Sequence, residues 1–243
     1  YNELVHPRSW RAFMEYGNGI VGDMCVHMLD MIRWQLDLGW PRRISSTGGI
    51  LVDTASKANI TDTQTCTFDF DDIDVVWTHR TWGGMPDPDW PWASYLYGTK
   101  GTLKLAWNKY EFIPNGGGKR MSGSSLIETD KYPTDLTDKE SWRMDLDVAS
   151  AIRDLMRDFL RAVDNRTKPV ADIEQGHIST SACILANNSM ELGRTLEFDS
   201  ETHTVVDDDE ANAMLRRTYR TGYTHPADAA KADLQRDRAA LRV

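Results

Sequence analysis

The sequence is poor in cysteine. Its three (Cys25, Cys66 and Cys183) form no CxxC and no His/Cys cluster, so neither a disulfide framework nor a zinc ribbon is expected. No run of about 18 apolar residues occurs, which excludes an ordinary membrane-spanning helix. Basic charge is in deficit: 28 Lys and Arg against 37 Asp and Glu give a net charge of −9. That is the wrong sign for a nucleic-acid surface. No G-x-G-x-x-G stands between a strand and a helix, so the dinucleotide fingerprint is missing. Gly116-Gly117-Gly118 falls in a polar stretch with no strand before it and reads as a flexible loop. The chain opens on Tyr1, without Met or an apolar leader. It reads as a fragment or a processed chain, with the cytoplasm as its default compartment.

What is present supports a globular fold. Hydrophobic residues make up 40% and charged residues 27%, enough to build a core. Residues 23–38 contain no Gly or Pro and predict a largely buried helix. Asp23 suits its start, Gly39 its C-terminal cap, and Pro41 the position beyond. Strands are predicted at 43–52, 61–70, 73–82, 94–97, 102–107 and 110–113, with Asp71-Asp72 as a hairpin turn. Residues 115–137 form a polar surface excursion. Helices follow at 141–163 and 173–193, with Leu146, Ala149, Ile152, Met156, Leu160 and Val163 on the first stripe and Ile178, Ala182, Leu185 and Met190 on the second. Residues 196–206 read as an edge strand. The order predicts an α+β fold: an open, mainly antiparallel sheet of about six strands with helices packed on one face. Residues 1–226 form one domain and 227–243 a solvated helical tail.

Asp23, His27 and Asp30 follow one another at i, i+4 and i+7 and share one arc of the helix. A carboxylate beside an imidazole fixes its tautomer and favours its protonated form, which is the apparatus of a general acid/base. The same pair also serves as a purely structural tie, and spacing alone does not decide. No third ligand of suitable type lies nearby, so no metal site is assigned. Trp82, Trp90 and Trp92 flank the loop M-P-D-P-D-W-P-W. They read either as a carbohydrate subsite, through aromatic faces against sugar C–H groups, or as a hydrophobic plug. His79 and Arg80 are consecutive on a strand, so only one can face the helix layer.

The run W-R-A-F-M-E-Y-G-N-G-I-V-G-D-M-C-V-H-M-L-D (residues 10–30) resembles the C-terminal domain of the glucose–fructose oxidoreductase/inositol dehydrogenase/MocA family. So do D-T-Q-T-C-T-F (62–68), Y-G-T-K-G-T-L (97–103) and P-V-A-D-I-E-Q-G-H with L-A-N-N-S-M-E-L-G-R (within 169–194). The resemblance implies a parent with a Rossmann domain binding NAD or NADP, absent from this chain. It implies that the present domain shapes the substrate site and the oligomer interface. His27 is implied to exchange a proton with a substrate hydroxyl while Asp23 orients it. Asp30, Trp82, Trp90 and Trp92 are read as substrate-binding.

The resulting expectation is the substrate-binding and oligomerisation part of an NAD(P)-dependent oxidoreductase acting on a sugar or cyclic polyol. The chain alone is expected to be inactive and to hold no cofactor. An NAD-dependent glycosidase of the same superfamily and a non-catalytic carbohydrate-binding or dimerisation module are the alternatives. A homo-oligomer through the open sheet face is expected, with no nucleic-acid or membrane partner.

Overall fold

The computed structural model describes residues 4–136 and 146–230. Gly19, at φ +65, turns the chain into a π-helical turn at Val21–Cys25, which runs into α1 (Val26–Leu36). Asp23 therefore lies in the first, wide turn, as expected of a residue at the helix start, although not at the cap. The stop differs from expectation. Asp37 adopts the left-handed conformation (φ 53) two residues before Gly39, and its N–H bonds to the Arg33 carbonyl. Asp tolerates that conformation better than most side chains.

Three strands follow: β1 (Arg43–Gly49), β2 (Thr63–Asp69) and β3 (Asp74–Arg80). Four more form a second run: β4 (Ser94–Gly98), β5 (Gly101–Leu105), β6 (Lys109–Pro114) and β7 (Met121–Ser124). The helices α2 (Leu146–Asn165) and α3 (Ile173–Leu192) precede β8 (Leu196–Asp199), β9 (Thr204–Val205) and α4 (Asp209–Met214).

The fold is α+β with open antiparallel sheets, but it has two sheets where the sequence predicts one of about six strands. One has the order β3-β2-β1-β8-β9, the other β4-β5-β6-β7. Pro86, Pro88 and Pro91 stand between β3 and β4. Proline donates no ladder hydrogen bond, and after the loop β4 starts a new meander instead of adding to β3. The polar excursion also contributes β7, which pairs with β6. Residues 196–206 make a short hairpin whose first strand returns beside β1. Gly101 opens β5 because a Cβ there would lie 2.5 Å from the Ile113 carbonyl oxygen.

The core lies between the five-stranded sheet and the helices. Ile44, Cys66, Phe68, Leu196 and Phe198 meet Leu29 and the α3 residues Ala182, Cys183, Leu185 and Ala186. Burial of each large side chain contributes about 1.5–3 kcal/mol. α3 starts at Asp172, whose carboxylate accepts from the Glu174 and Gln175 amides, and ends at Gly193. The cysteines, far apart in sequence, share this core as free thiols. Burial pushes the Cys66 thiol up to about 11, so it stays protonated and unreactive.

α2 departs from expectation in its burial. Ile152, Met156, Leu160 and Val163 stay more than half exposed. The helix is tied instead by Arg153, which bonds Asp135 at 2.9 Å and stacks over Tyr132. The predicted start of this helix at 141–145 lies outside the described residues. So does the predicted tail beyond residue 230, whose beginning at 226–230 is helical.

Candidate active site

The π-turn and α1 present Asp23, His27 and Asp30 on one exposed face. The structure does not join them to each other. Asp23 pairs with Arg11 (Nε to Oδ2, 3.4 Å), and Arg11 lies over the Trp10 ring. Arg11 reaches Asp23 from a short 3-10 turn at Ser9–Ala12. The segment after it is fixed by Arg217, which donates to the carbonyls of Met14, Glu15 and Gly17. Asp30 accepts a hydrogen bond from Ser179 Oγ at 2.6 Å and lies 3.8 Å from Arg33. Arg33 is 2% exposed and also donates to Ser179, Gln175 and the Gly39 carbonyl. Asp30 thus sits at the α1–α3 junction.

His27 stands edge-to-face with Trp92, ring centroids 5.6 Å apart at 86°. Among the described residues neither ring nitrogen of His27 has a hydrogen-bond partner. The imidazole is free to meet a hydroxyl from solvent.

Trp92 connects this face to a cleft of about 1550 Å³. One wall is β3, the edge strand of the first sheet, and another is β4, the edge strand of the second. Met24 on the π-turn and Met28 and Ile32 on α1 line it, as do Trp82, Trp90 and Trp92. Asp23, His27 and Asp30 are not among its lining residues. Val75 and Trp77 are half-buried against the helix layer, while Val76 and Arg80 point to the open side. His79 is half-buried too; its Nδ1 accepts from Trp77 Nε1 at 3.1 Å, and burial lowers its pKa.

The three predicted tryptophans differ in employment. Trp90 holds the ammonium groups of Lys109 (4.6 Å) and Lys104 (5.6 Å) against its ring. Trp82 donates to Thr63 Oγ1, with Arg80 over its ring. Trp92 has a buried indole N–H without a partner among the described residues. The loop carrying Trp90 and Trp92 is latched by Asp87, which accepts from Tyr95 Oη and Lys104 Nζ, both at 2.8 Å. Lys104 and Tyr95 hold the Asp87 carboxyl below its usual range. Burial, with Asp87 adding to it, pushes Tyr95 up to about 12. Sequence reasoning did not find Arg11, Ser179 or this latch. Only the alternation of Asp with Pro and Trp at 86–92 carried a signal of it.

Residues 1–104 match the family model of the GFO/IDH/MocA C-terminal domain, and 129–225 match the oxidoreductase family C-terminal alpha/beta domain. The chain belongs to the Gfo/Idh/MocA oxidoreductase family and carries the C-terminal domain of it. Among solved structures it is similar to an oxidoreductase from Agrobacterium radiobacter in complex with NAD+, L-tartaric acid and magnesium. The TM-score is 0.58 at 14% identity, covering 81% of this chain and 53% of that one. An NAD-binding protein from Listeria innocua gives 0.49 at 17% identity, covering 79% and 51%. A myo-inositol dehydrogenase from Corynebacterium glutamicum gives 0.45 at 16%, covering 79% and 52%. The chain spans about half the length of these proteins. No curated protein matches it.

The described residues do not fit a dinucleotide. Every strand ladder among them is antiparallel, and no glycine loop leads from a strand into a helix to cradle a pyrophosphate.

Proposed function

We propose that this chain is the substrate-side part of an NAD(P)-dependent oxidoreductase acting on a sugar or cyclic polyol. The observation that carries the reading is His27: exposed, without a hydrogen-bond partner, and standing against Trp92 at the edge of a tryptophan-lined cleft. Oxidation of a secondary alcohol releases a hydroxyl proton, and an imidazole nitrogen with a free lone pair accepts it. Asp23 stands four residues earlier on the same exposed face. Arg11 holds that carboxylate in place. Trp82 and Trp92 supply apolar faces for the C–H groups of a sugar ring. Trp90 is bound to lysines and acts through the loop it anchors.

The chain's own residues cover the proton and the substrate, not the dinucleotide. The cofactor is assigned to polypeptide outside this domain. The open face of the five-stranded sheet is assigned to a second copy of the protein. The test of the proton role is a pH profile of the full-length enzyme with and without His27. The limb of the profile that reports the general base is expected to disappear in His27→Ala. An unchanged profile would defeat the reading.

A further inference from the structure

We propose that His177 and His203 form a two-histidine site for a divalent transition-metal ion, with zinc as the reference ion. The inference is independent of the proton-transfer reading above.

His177 lies in the second turn of α3, and His203 in the turn between β8 and β9. Both are exposed. Their ring centroids are 5.6 Å apart, with the planes at 40°. Two imidazoles bound to one tetrahedral zinc, at about 2.0–2.1 Å per Zn–N bond, place their centroids about 5–5.5 Å apart. The centroid separation of the pair is thus within a few tenths of an ångström of that of two imidazoles on one ion.

Two further contacts make it a built site. Ser181, one helical turn after His177, is 3.2 Å from Nδ1. With the proton on Nδ1 and donated to Ser181, the Nε2 lone pair is left for the metal, the usual orienting arrangement for a histidine ligand. Trp40 stands edge-to-face with both rings, at 5.3 Å from His177 and 5.4 Å from His203, and backs them on the inner side. Asp199, held ionised chiefly by the Glu201 amide and also sensing His203, adds negative charge nearby.

No group of three or more histidine, cysteine or acidic side chains suited to a metal lies together among the described residues. The remaining coordination positions belong to water, so affinity is expected in the micromolar range, far weaker than closed structural sites. Bound metal would clamp α3 to the β8–β9 hairpin.

The test is calorimetric titration of the untagged 243-residue chain with Zn2+. One ion per chain is expected, at a dissociation constant of about 1–50 μM. His177→Gln and His203→Asn should each weaken binding at least tenfold, Asn being chosen because it tolerates the left-handed backbone (φ 55) at 203. In the wild-type chain, the imidazole C–H resonances of His177 and His203 should shift together with added Zn2+, a readout that needs no variant. Absence of saturable binding, undiminished affinity in the double variant, or resonance shifts confined to other histidines would overturn the proposal.

Discussion

Ser179 accepts Arg33 Nη1 at 2.7 Å and donates its own hydroxyl proton to Asp30 at 2.6 Å. One serine on α3 thereby couples a buried guanidinium to an exposed carboxylate on α1. The arrangement answers the desolvation of Arg33, whose burial lowers its pKa, with several acceptors. Removing the guanidinium strands those acceptors. Arg33→Met is expected to cost about 2–4 kcal/mol in urea unfolding, and Ser179→Ala about 1 kcal/mol. Equal, negligible effects from both would show that the junction is not cooperative.

In the full-length enzyme, His27→Ala is expected to lower kcat by about 10²–10⁴-fold, the usual worth of a general acid/base. Asp23→Asn should act more weakly, because Asp23 pairs with Arg11 and does not hydrogen-bond His27. Arg11→Ala should reproduce part of the Asp23→Asn effect by freeing that carboxylate. Steady-state kinetics decide. A change of less than threefold in His27→Ala would remove it from the reaction.

The helix-then-strands order and the burial face of α3 are local in origin and legible from sequence. Ile178, Ala182 and Leu185 keep helical spacing and are all buried. The alternation of β2 likewise puts Gln64, Cys66 and Phe68 inside. What was not legible depends on partners distant in the chain. Arg11 meets Asp23 across a turn that Arg217, two hundred residues later, holds by its carbonyls. Whether β4 extends the first sheet or begins another depends on a proline loop whose conformation is set by the Asp87 latch. The π-turn is equally hidden, since spacing arguments assume 100° per residue throughout. The exposed stripe of α2 shows the converse: periodicity identifies an apolar face without saying what covers it.

The 243-residue chain is expected to bind neither NAD nor NADP. A pyrophosphate is cradled by backbone N–H groups at the start of a helix that follows a strand. α1 is entered from a π-turn and α3 from a loop capped by Asp172. Calorimetry with both dinucleotides tests this. Saturable micromolar binding at one per chain would be inconsistent with it.

The Asp87 latch should fail at both ends of the pH scale. Asp87 has a lowered folded pKa, so its contribution is present above about pH 4 and is lost as pH falls through the folded value. Tyr95 has a raised one, so its neutral form is favoured on folding. That contribution is present below about pH 10 and is lost as pH rises towards about 12. Asp87→Asn should flatten the acid limb, leave the alkaline limb that burial of Tyr95 produces only reduced, and make the loop at 83–93 more susceptible to proteolysis at pH 7. Limited proteolysis with mass mapping would reveal it, and an unchanged cleavage pattern would count against the latch.

The final expectation concerns the face of the five-stranded sheet opposite α1 and α3. It carries Ser45 and Thr47 on β1, Thr65 and Thr67 on β2, and Val76 and Thr78 on β3. Register places Thr67 beside Val76 and Thr65 beside Thr78. The strip across β1–β3 is nearly free of charge at its centre, while Arg43, Asp69, Asp74 and Arg80 stand at the strand ends and Glu197 on β8 lies beside Arg43. A solvated sheet face of a soluble domain usually carries Lys or Glu along its middle to prevent association. Here short β-branched and hydroxyl side chains leave a flat surface, with Val76 62% exposed on it. Two such faces can stack about 10 Å apart around a twofold axis, with threonine methyls interdigitating and the rim charges left in water. A stable pair should bury at least about 1,200 Å² in total. Thr67→Arg puts a charge at the centre of the stack and opposite its own copy, so it should convert a dimer or larger assembly to monomers without unfolding the chain. Lys100→Glu, on the exposed β4–β5 turn, should leave the assembly intact. Light scattering at micromolar concentration distinguishes the outcomes. A wild-type chain of monomer mass, or a Thr67→Arg variant of unchanged mass, would exclude this face as the interface.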